Sequence, residues 1–254
     1  MGHCGDNAAV SSPIHDQYAR RTPQQLQRYS LLRPEVWRAW QERQRTMLRL
    51  FADLGWSDFS QRRVVEVGCG AGGNLLELLR MGFMPRNLKG IELLPGRHEH
   101  ACEVLPSSLR LILGDALSDE AERLIPPASQ DIVMQFTVFS SVLDDMGRLQ
   151  LADAMWRWVR PGGGVLWYDF VVNNPFNDDV RGVPVDEIRR LFPQAVLHVK
   201  PITLAPPVAR WVCRKAPWLY PVVERLPGLR THVLVWAQKP LEWPASSAQA
   251  LNSA

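Results

Sequence analysis

The chain has 254 residues, 46% of them hydrophobic, and a formal net charge of +3 at pH 7. This length and composition suit a globular protein with a sizeable core and exclude a largely disordered chain. No apolar run approaches the ~18 residues that a membrane span needs. The first residues lack the basic and apolar blocks of a secretory signal, so we expect a cytoplasmic protein. The small net charge gives no strong nucleic-acid signal, and four scattered cysteines without a Cys-x-x-Cys pair predict no metal site.

The pattern along the chain divides it into three parts. Residues 1–60 are predicted to form an N-terminal tail and a helical cap, with an amphipathic helix from Pro34 to about Leu54. Residues 61–240 are expected to form the main domain, and residues 241–254 a flexible C-terminal tail.

Strands and helices alternate through the main domain. The predicted strands are residues 63–67, 88–92, 109–113, 131–139, 165–170, 195–204 and 231–238. Helices are predicted in the leucine-rich segment after Gly73 and at 97–105, 119–124, 149–159 and 185–191. Such a βα series predicts a parallel sheet. The last two strands are separated by a proline-rich helical insertion, about residues 205–230, which suggests an antiparallel pair at the edge.

A glycine-rich loop follows the first predicted strand of this series. The segment EVGCGAGG, residues 66–73, lies where a nucleotide-type cofactor meets the carboxyl end of a parallel sheet. Gly68, Gly70 and Gly73 also satisfy the pattern G-x-G-x-x-G. The loop alone therefore does not separate a nicotinamide enzyme from a methyltransferase.

Three acidic residues bear on that choice. Glu66 can compensate the ammonium group of S-adenosylmethionine, whereas the pyrophosphate of NAD is disfavoured beside a carboxylate. Glu92 closes the second strand and can accept hydrogen bonds from ribose hydroxyls, which both cofactor classes possess. Asp115 follows the third strand and can reach an adenine amino group. Together these residues favour S-adenosylmethionine.

Five segments resemble, in order and spacing, the successive motifs of class I S-adenosylmethionine-dependent methyltransferases: EVGCGAGG, GIEL, GDA, QDIVMQFTVFSS and RPGGGVLWYDF. The resemblance covers roughly residues 60–240. It implies an α/β, Rossmann-like fold with a mostly parallel seven-stranded sheet and an antiparallel last strand. Carried over residue by residue, it predicts a cofactor site formed by Glu66, Gly68, Cys69, Gly70, Glu92, Leu93, Asp115, Ala116, Gln135 and Phe136.

The acceptor side is less marked in the sequence. Methyl transfer is an in-line displacement that depends on positioning the nucleophile, and a hydroxyl acceptor benefits from a general base. Asp169, at the end of the fifth strand, is the candidate catalytic residue, with substrate binding or a structural loop hydrogen bond as its alternative roles. The candidate substrate-binding residues are Tyr29, Phe139, Tyr168, Asn173, Asn174 and Trp211.

The insertion at about residues 205–230 combines tryptophans with arginine and lysine residues. It is either an amphipathic segment packed on the sheet edge or a lid over the substrate. Its mixed character suits a lipid-linked acceptor, with an apolar part and a phosphate, or peripheral contact with an anionic membrane.

The leading hypothesis is a methyltransferase that acts on a small molecule or glycan, at oxygen, in bacterial envelope or specialised metabolism. The segment that begins WYDFVVNNPF, together with TLAPPVARWV, resembles a bacterial subgroup of unassigned substrate. Two alternatives remain open. One is a methyltransferase of RNA or protein, and the other is a cofactor-binding partner protein without catalysis.

Overall fold

The computed structural model describes residues 29–173, 179–226 and 228–241. These residues form one seven-stranded sheet with helices on both faces. The strands are β1 (Val64–Val67), β2 (Leu88–Glu92), β3 (Arg110–Leu113), β4 (Gln130–Phe136), β5 (Val159–Phe170), β6 (Val196–Leu204) and β7 (Arg230–Gln238). Of the predicted features, the first 28 residues, Asn174 and residues 242–254 lie outside the described residues.

Eight α-helices are present in the described part of the chain. They are α1 (Pro34–Asp53), α2 (Gly73–Arg80), α3 (Pro95–Val104), α4 (Asp119–Leu124), α5 (Asp145–Trp158), α6 (Val185–Leu191), α7 (Pro206–Lys215) and α8 (Tyr220–Val223). Within the described ranges, no helix is long and apolar enough to span a lipid bilayer.

The strand order is β3-β2-β1-β4-β5-β7-β6. Strands β1 to β5 pair in parallel, and β7 lies antiparallel between β5 and β6. This arrangement confirms the predicted mostly parallel sheet with an antiparallel last strand. Because β7 runs against its neighbours, its first residues lie at the same edge as the carboxyl ends of β1 to β5.

The sheet separates two apolar layers, and alternate residues of a central strand enter different layers. In β4, Val133 packs in the layer with α5, whereas Ile132 and Met134 pack in the layer with α1 and α2. Both faces are therefore covered, which explains why the central strands are nearly continuous apolar runs.

Two predicted strand boundaries are wrong. Strand β4 ends at Phe136 rather than at residue 139, because Thr137 adopts a positive φ of 60° and a short 3₁₀ turn, Phe139–Ser141, follows. Strand β5 begins at Val159, which pairs with Gln130, rather than at residue 165. Residues 160–163 form a bulge inside this strand, so the strand starts before the Pro-Gly-Gly-Gly segment and is distorted by it.

The predicted start of α5 at residue 149 is also wrong. The helix begins at Asp145, because the side chain of Asp144 accepts a hydrogen bond from the backbone N–H of Gly147 at 2.6 Å. Such N-terminal capping satisfies a backbone donor that has no partner within the helix.

The insertion between β6 and β7 has a small core of its own, formed by Leu204, Ala209, Val212 and Tyr220. Helix α7 packs against α1. The guanidinium of Arg38 in α1 lies over the ring of Tyr220, 4.7 Å from its centroid. The insertion is thus anchored to the N-terminal helix.

We expect Gly164→Ala to destabilise the fold. A Cβ atom at position 164 would lie 2.6 Å from ring atoms of Trp236 and 2.8 Å from the carbonyl oxygen of Ala237. Overpacking of this kind costs about 1–3 kcal/mol. Urea unfolding should show the loss, and the control Gly96→Ala, where no atom lies within 4 Å of the added Cβ, should not show it. Equal midpoints for both variants would contradict the packing described here.

Candidate active site

A cavity of about 680 Å³ opens at the carboxyl edge of the sheet. Its wall includes the glycine loop after β1, the ends of β2, β4 and β5, the turns after β3 and β4, and the start of β7. Helices α1, α2, α3 and α5 contribute one or two residues each. This volume is in the range of small-molecule and cofactor sites. The cavity also lies where ligands bind in open α/β sheets.

The glycine loop lies closely against the segment after β4. Gly68 has φ +65°, and a Cβ atom on it would lie 2.6 Å from Cγ2 of Val138. A side chain at this position is excluded by both the backbone conformation and the space. The loop therefore presents bare backbone to the cavity.

The carboxylate of Glu92 holds the loop in this conformation. Its Oε2 accepts a hydrogen bond from the backbone N–H of Gly70 at 2.7 Å, and its Oε1 accepts one from the N–H of Leu94 at 2.9 Å. The side chain is buried and still lines the cavity. Glu92 therefore joins the loop after β1 to the turn after β2.

Glu66 lies behind the cavity wall and is fully buried. Its Oε1 accepts a hydrogen bond from the side-chain amide of Asn74 at 2.6 Å, whereas its Oε2 is buried without a hydrogen-bond partner. Burial raises the pKa of Glu66 from 4.5 to about 8, although the Asn74 hydrogen bond and the charge of Arg43 act in the opposite direction.

Asn74 connects Glu66 to the cavity. Its Oδ1 accepts a hydrogen bond from Nη2 of Arg43 at 3.1 Å, and both Asn74 and Arg43 line the cavity. The guanidinium of Arg43 also lies 5.0 Å from the ring centroid of Phe136 and 5.1 Å from that of Tyr168. The neighbouring Glu42 fixes this part of α1 on the sheet by accepting a hydrogen bond from the N–H of Thr203.

The predicted cofactor residues other than Glu66 and Gln135 all line the cavity: Gly68, Cys69, Gly70, Glu92, Leu93, Asp115, Ala116 and Phe136. Oδ1 of Asp115 accepts a hydrogen bond from the N–H of Leu117 at 2.8 Å, which orders the turn after β3. Gln135 is buried, and its Oε1 accepts a hydrogen bond from the N–H of Val138 at 2.9 Å.

Asp169, the candidate catalytic residue, is fully buried and does not line the cavity. Its two oxygens accept hydrogen bonds from the backbone N–H groups of Ser140, at 3.1 Å, and Phe170, at 3.0 Å. Burial raises the pKa of its carboxyl to about 6. Asp169 thus holds two backbone segments in place, and Ser140 and Phe170, which belong to those segments, line the cavity.

Among the candidate substrate-binding residues, the structure brings Tyr29 to the cavity wall. Phe139 and Tyr168 are buried outside the lining. The ring of Phe139 packs on Trp167, and the hydroxyl of Tyr168 shares a hydrogen bond of 2.9 Å with that of Thr203.

Asn173 and Trp211 also lie away from the cavity lining. Oδ1 of Asn173 accepts a hydrogen bond from the N–H of Gly182 at 2.9 Å. Trp211 is exposed on α7.

His232 lines the cavity and was missed by the sequence reasoning, as were Arg43 and Asn74. Its ring stacks on that of Tyr168 at 5.1 Å between centroids, and its Nδ1 lies 3.0 Å from Oγ1 of Thr231. Burial, together with the charge of Arg43, lowers the pKa of His232 to about 4. The imidazole is therefore neutral at pH 7, and it is a weaker base than an ordinary histidine.

Comparisons with known proteins match this chain to methyltransferases. Residues 64–163 match the family model described as a methyltransferase domain. A curated relative, the tRNA N(3)-methylcytidine methyltransferase Mettl2 of Drosophila melanogaster, is 28% identical over 120 residues, which are 43% of this chain and 34% of that protein. The chain thus matches about a third of that relative's length.

Solved structures share the fold. A SAM-dependent methyltransferase from Archaeoglobus fulgidus superposes with a TM-score of 0.52 at 14% identity, covering 76% of this chain and 92% of that one. A S-adenosylmethionine-dependent methyltransferase from Mesorhizobium loti gives 0.53 at 14% identity, with 75% and 96% coverage. Geranyl diphosphate C-methyltransferase from Streptomyces coelicolor gives 0.52 at 13% identity, with 76% and 77% coverage.

The strand order, the glycine loop at the carboxyl edge and the domain match at residues 64–163 lead to the same conclusion. The described residues have the Rossmann-like fold of class I methyltransferases, residues 64–163 match a methyltransferase domain, and the cofactor that this domain and fold indicate is S-adenosylmethionine.

Proposed function

We propose that this protein transfers the methyl group of S-adenosylmethionine to a hydroxyl group of a small-molecule or glycan acceptor. The observation that carries the proposal is a neutral imidazole, His232, in the wall of the cavity that also contains the glycine loop and Glu92. The resemblance of residues 167–193 to a bacterial subgroup supports a role in bacterial envelope or specialised metabolism.

Glu92 and the glycine loop are suited to the nucleoside part of the cofactor. Each oxygen of Glu92 accepts one backbone hydrogen bond. A carboxylate has about four lone-pair sites, so capacity remains for two ribose hydroxyls. The bare backbone at Gly68 and Gly70 allows close approach of the ligand, and Asp115 stands at the turn after β3 for the adenine amino group.

Arg43, Asn74 and Glu66 are suited to the methionine part, which carries a carboxylate and an ammonium group. Arg43 has a buried Nε–H without a hydrogen-bond partner, and its guanidinium can pair with the carboxylate of the ligand. Behind Asn74, the unpartnered Oε2 of Glu66 is a buried acceptor, and an ammonium group nearby would favour its ionised form. The charged groups of this chain therefore match both charges of the ligand.

The acceptor side is formed by His232, Phe136, Phe170 and Ser140. The bound cofactor supplies a methyl group activated by its sulfonium. With an acceptor bound, His232 would take the proton that the acceptor hydroxyl releases and pass it to solvent. Asp169 positions Ser140 and Phe170 through their backbone N–H groups.

RNA methylation is the second candidate function, because the curated relative that matches over 120 residues acts on tRNA. Against it, the exposed cations of the insertion are interspersed with aliphatic side chains. Electrostatic binding to RNA weakens steeply as salt increases, so salt-dependent binding of tRNA would favour this candidate.

We expect Glu92→Gln to weaken binding of S-adenosylhomocysteine, the demethylated cofactor, by roughly tenfold, or about 1–2 kcal/mol. The amide replaces the carboxylate of Glu92, so its NH₂ group faces the backbone N–H of either Gly70 or Leu94, and two donors then oppose each other. Calorimetry with S-adenosylhomocysteine measures the effect, and Glu99→Gln, an exposed position on α3, is the control. Tight binding of NAD by the wild type, without binding of S-adenosylhomocysteine, would refute the cofactor site.

We expect the stability of the wild type to fall relative to that of Glu66→Gln as pH rises from 5 to 8. Because the pKa of Glu66 is raised to about 8, the folded state retains a proton that the unfolded state loses above about pH 4.5. Stability is therefore lost as pH rises through this window. The difference should grow by roughly 2–4 kcal/mol, since a tenfold change in proton affinity corresponds to about 1.4 kcal/mol.

Urea unfolding of the cofactor-free protein at several pH values measures this difference. Contributions from Asp169 and His232 cancel, because both variants contain them. Glu99→Gln, with its exposed side chain, should follow the wild type at every pH. A constant difference between wild type and Glu66→Gln would show that Glu66 is ionised throughout.

We expect His232→Asn to reduce methyl transfer by about 10²–10⁴-fold, the range for loss of a general base, while cofactor affinity changes little. The assay follows label from methyl-labelled S-adenosylmethionine into glycan, lipid, small-molecule and RNA fractions of a bacterial extract. His100→Asn, on the exposed side of α3, is the matched control.

The pH profile adds a second readout for His232. Since its pKa is about 4, wild-type activity should not decline between pH 7 and 6, where an ordinary histidine becomes protonated. Unchanged transfer by His232→Asn would remove it as the base. Label that enters only RNA would favour the second candidate function.

A further inference from the structure

We propose that the exposed side of the insertion is a docking surface for an anionic lipid bilayer. We call it the insertion face, and its exposed members are Arg210, Trp211, Arg214, Lys215, Trp218, Val222, Arg225 and Leu226. The inference does not depend on which acceptor is methylated.

Large apolar side chains of the insertion face are open to solvent. Trp218 is 75% exposed, Val222 58%, Trp211 56% and Leu226 46%. All four lie within residues 211–226, and large exposed apolar patches mark interaction sites in soluble proteins. Tryptophan in particular prefers the boundary between water and hydrocarbon, because its ring is apolar and its N–H is polar.

The protein's own core does not account for these side chains. On α7, Ala209 and Val212 enter the small core of the insertion, and the helix packs against α1. Arg210, Trp211 and Arg214 lie on the other side of the same helix and are exposed. The inward side of α7 is thus already covered, and its outward side carries both aromatic and cationic side chains.

The charge of the insertion face complements anionic headgroups. Residues 206–226 contain four cations, Arg210, Arg214, Lys215 and Arg225, and one acid, Glu224, which gives a net charge of +3 by subtraction. Long cationic side chains can bind headgroup phosphates while neighbouring tryptophans enter the interface. Clusters of this kind are attracted to the negative surface of a membrane.

The insertion face lies at the functional edge of the sheet. The insertion starts after Leu204, the last residue of β6, and ends at Arg230, two residues before His232. It shares this edge with the cavity, and exposed Leu31 and Leu32 precede α1, the helix that α7 packs against. A bilayer at this surface would bring the cavity close to membrane-bound molecules.

The composition favours lipid over RNA as the partner. Tryptophan and arginine are compatible with both, since aromatic rings stack on bases and arginine binds phosphates. Val222 and Leu226 offer nothing to a base or a phosphate, and yet about half of each is exposed. In a bilayer interface, the same aliphatic groups are removed from water.

The test is flotation of the full-length protein with vesicles of phosphatidylcholine alone, or of phosphatidylcholine with about one third phosphatidylglycerol. We expect binding to the anionic vesicles and little to the neutral ones. Trp211→Ala with Trp218→Ala, and separately Arg210→Gln with Arg214→Gln, should each reduce binding at least fivefold. The matched controls are Met146→Ala with Leu149→Ala, and Arg123→Gln with Arg190→Gln, all exposed elsewhere.

Binding of S-adenosylhomocysteine, measured on the same preparations, should be unchanged in every variant and shows that each is folded. The arginine pair remains a test if the tryptophan pair fails to fold. Absence of wild-type binding to anionic vesicles, or equal losses in the control pairs, would overturn the proposal. So would tighter binding of tRNA that depends on the same side chains, since the surface would then be an RNA-binding one.

Discussion

Strands β1 to β5 run in one direction, and this constraint determines where the site lies. Their carboxyl ends meet at one edge, so the glycine loop, Glu92 and Phe136 come together although three α-helices lie between them in the chain. Strand β7 runs the opposite way and begins at that edge, which places His232 beside them. One parallel sheet with one reversed strand therefore assembles the residues that we propose for the cofactor and for the acceptor.

Three buried carboxylates surround this cavity, and their hydrogen-bond partners differ. Glu92 and Asp169 each accept two backbone N–H groups, and in both cases those groups belong to segments that line the cavity. Glu66 accepts one hydrogen bond, from the side-chain amide of Asn74, and its Oε2 has no partner. Both oxygens of Glu92 and of Asp169 stabilise loop conformations, whereas one oxygen of Glu66 has no partner, which is why we propose Glu66 for the charged end of the ligand.

Eight of the ten residues that the sequence assigned to the cofactor lie in the wall of one cavity. They could be found because they follow successive strands, and apolar runs ended by glycines or acids mark strand ends. Asp169 lies at the end of β5, as the sequence predicted, but it does not line the cavity. Neighbouring strand residues point to opposite faces, and Phe170 is the one that lines the cavity. The position of Arg43 in the cavity wall depends on how α1 crosses the sheet, and no local sequence pattern predicts that crossing. His232 could have been predicted from the sequence, because an antiparallel last strand must begin at the edge where the parallel strands end.

Strand β6 forms one open edge of the sheet, and its sequence limits what can add to that edge. Pro201 has no N–H to donate, and its carbonyl oxygen already accepts a hydrogen bond from Nη1 of Arg230 at 2.6 Å. The adjacent Lys200 is exposed. A further strand, from another chain or from a folding intermediate, would meet an interrupted row of backbone groups and a charge. Lys200 and Pro201, in the strand that precedes the insertion, thus protect the protein against edge-to-edge aggregation.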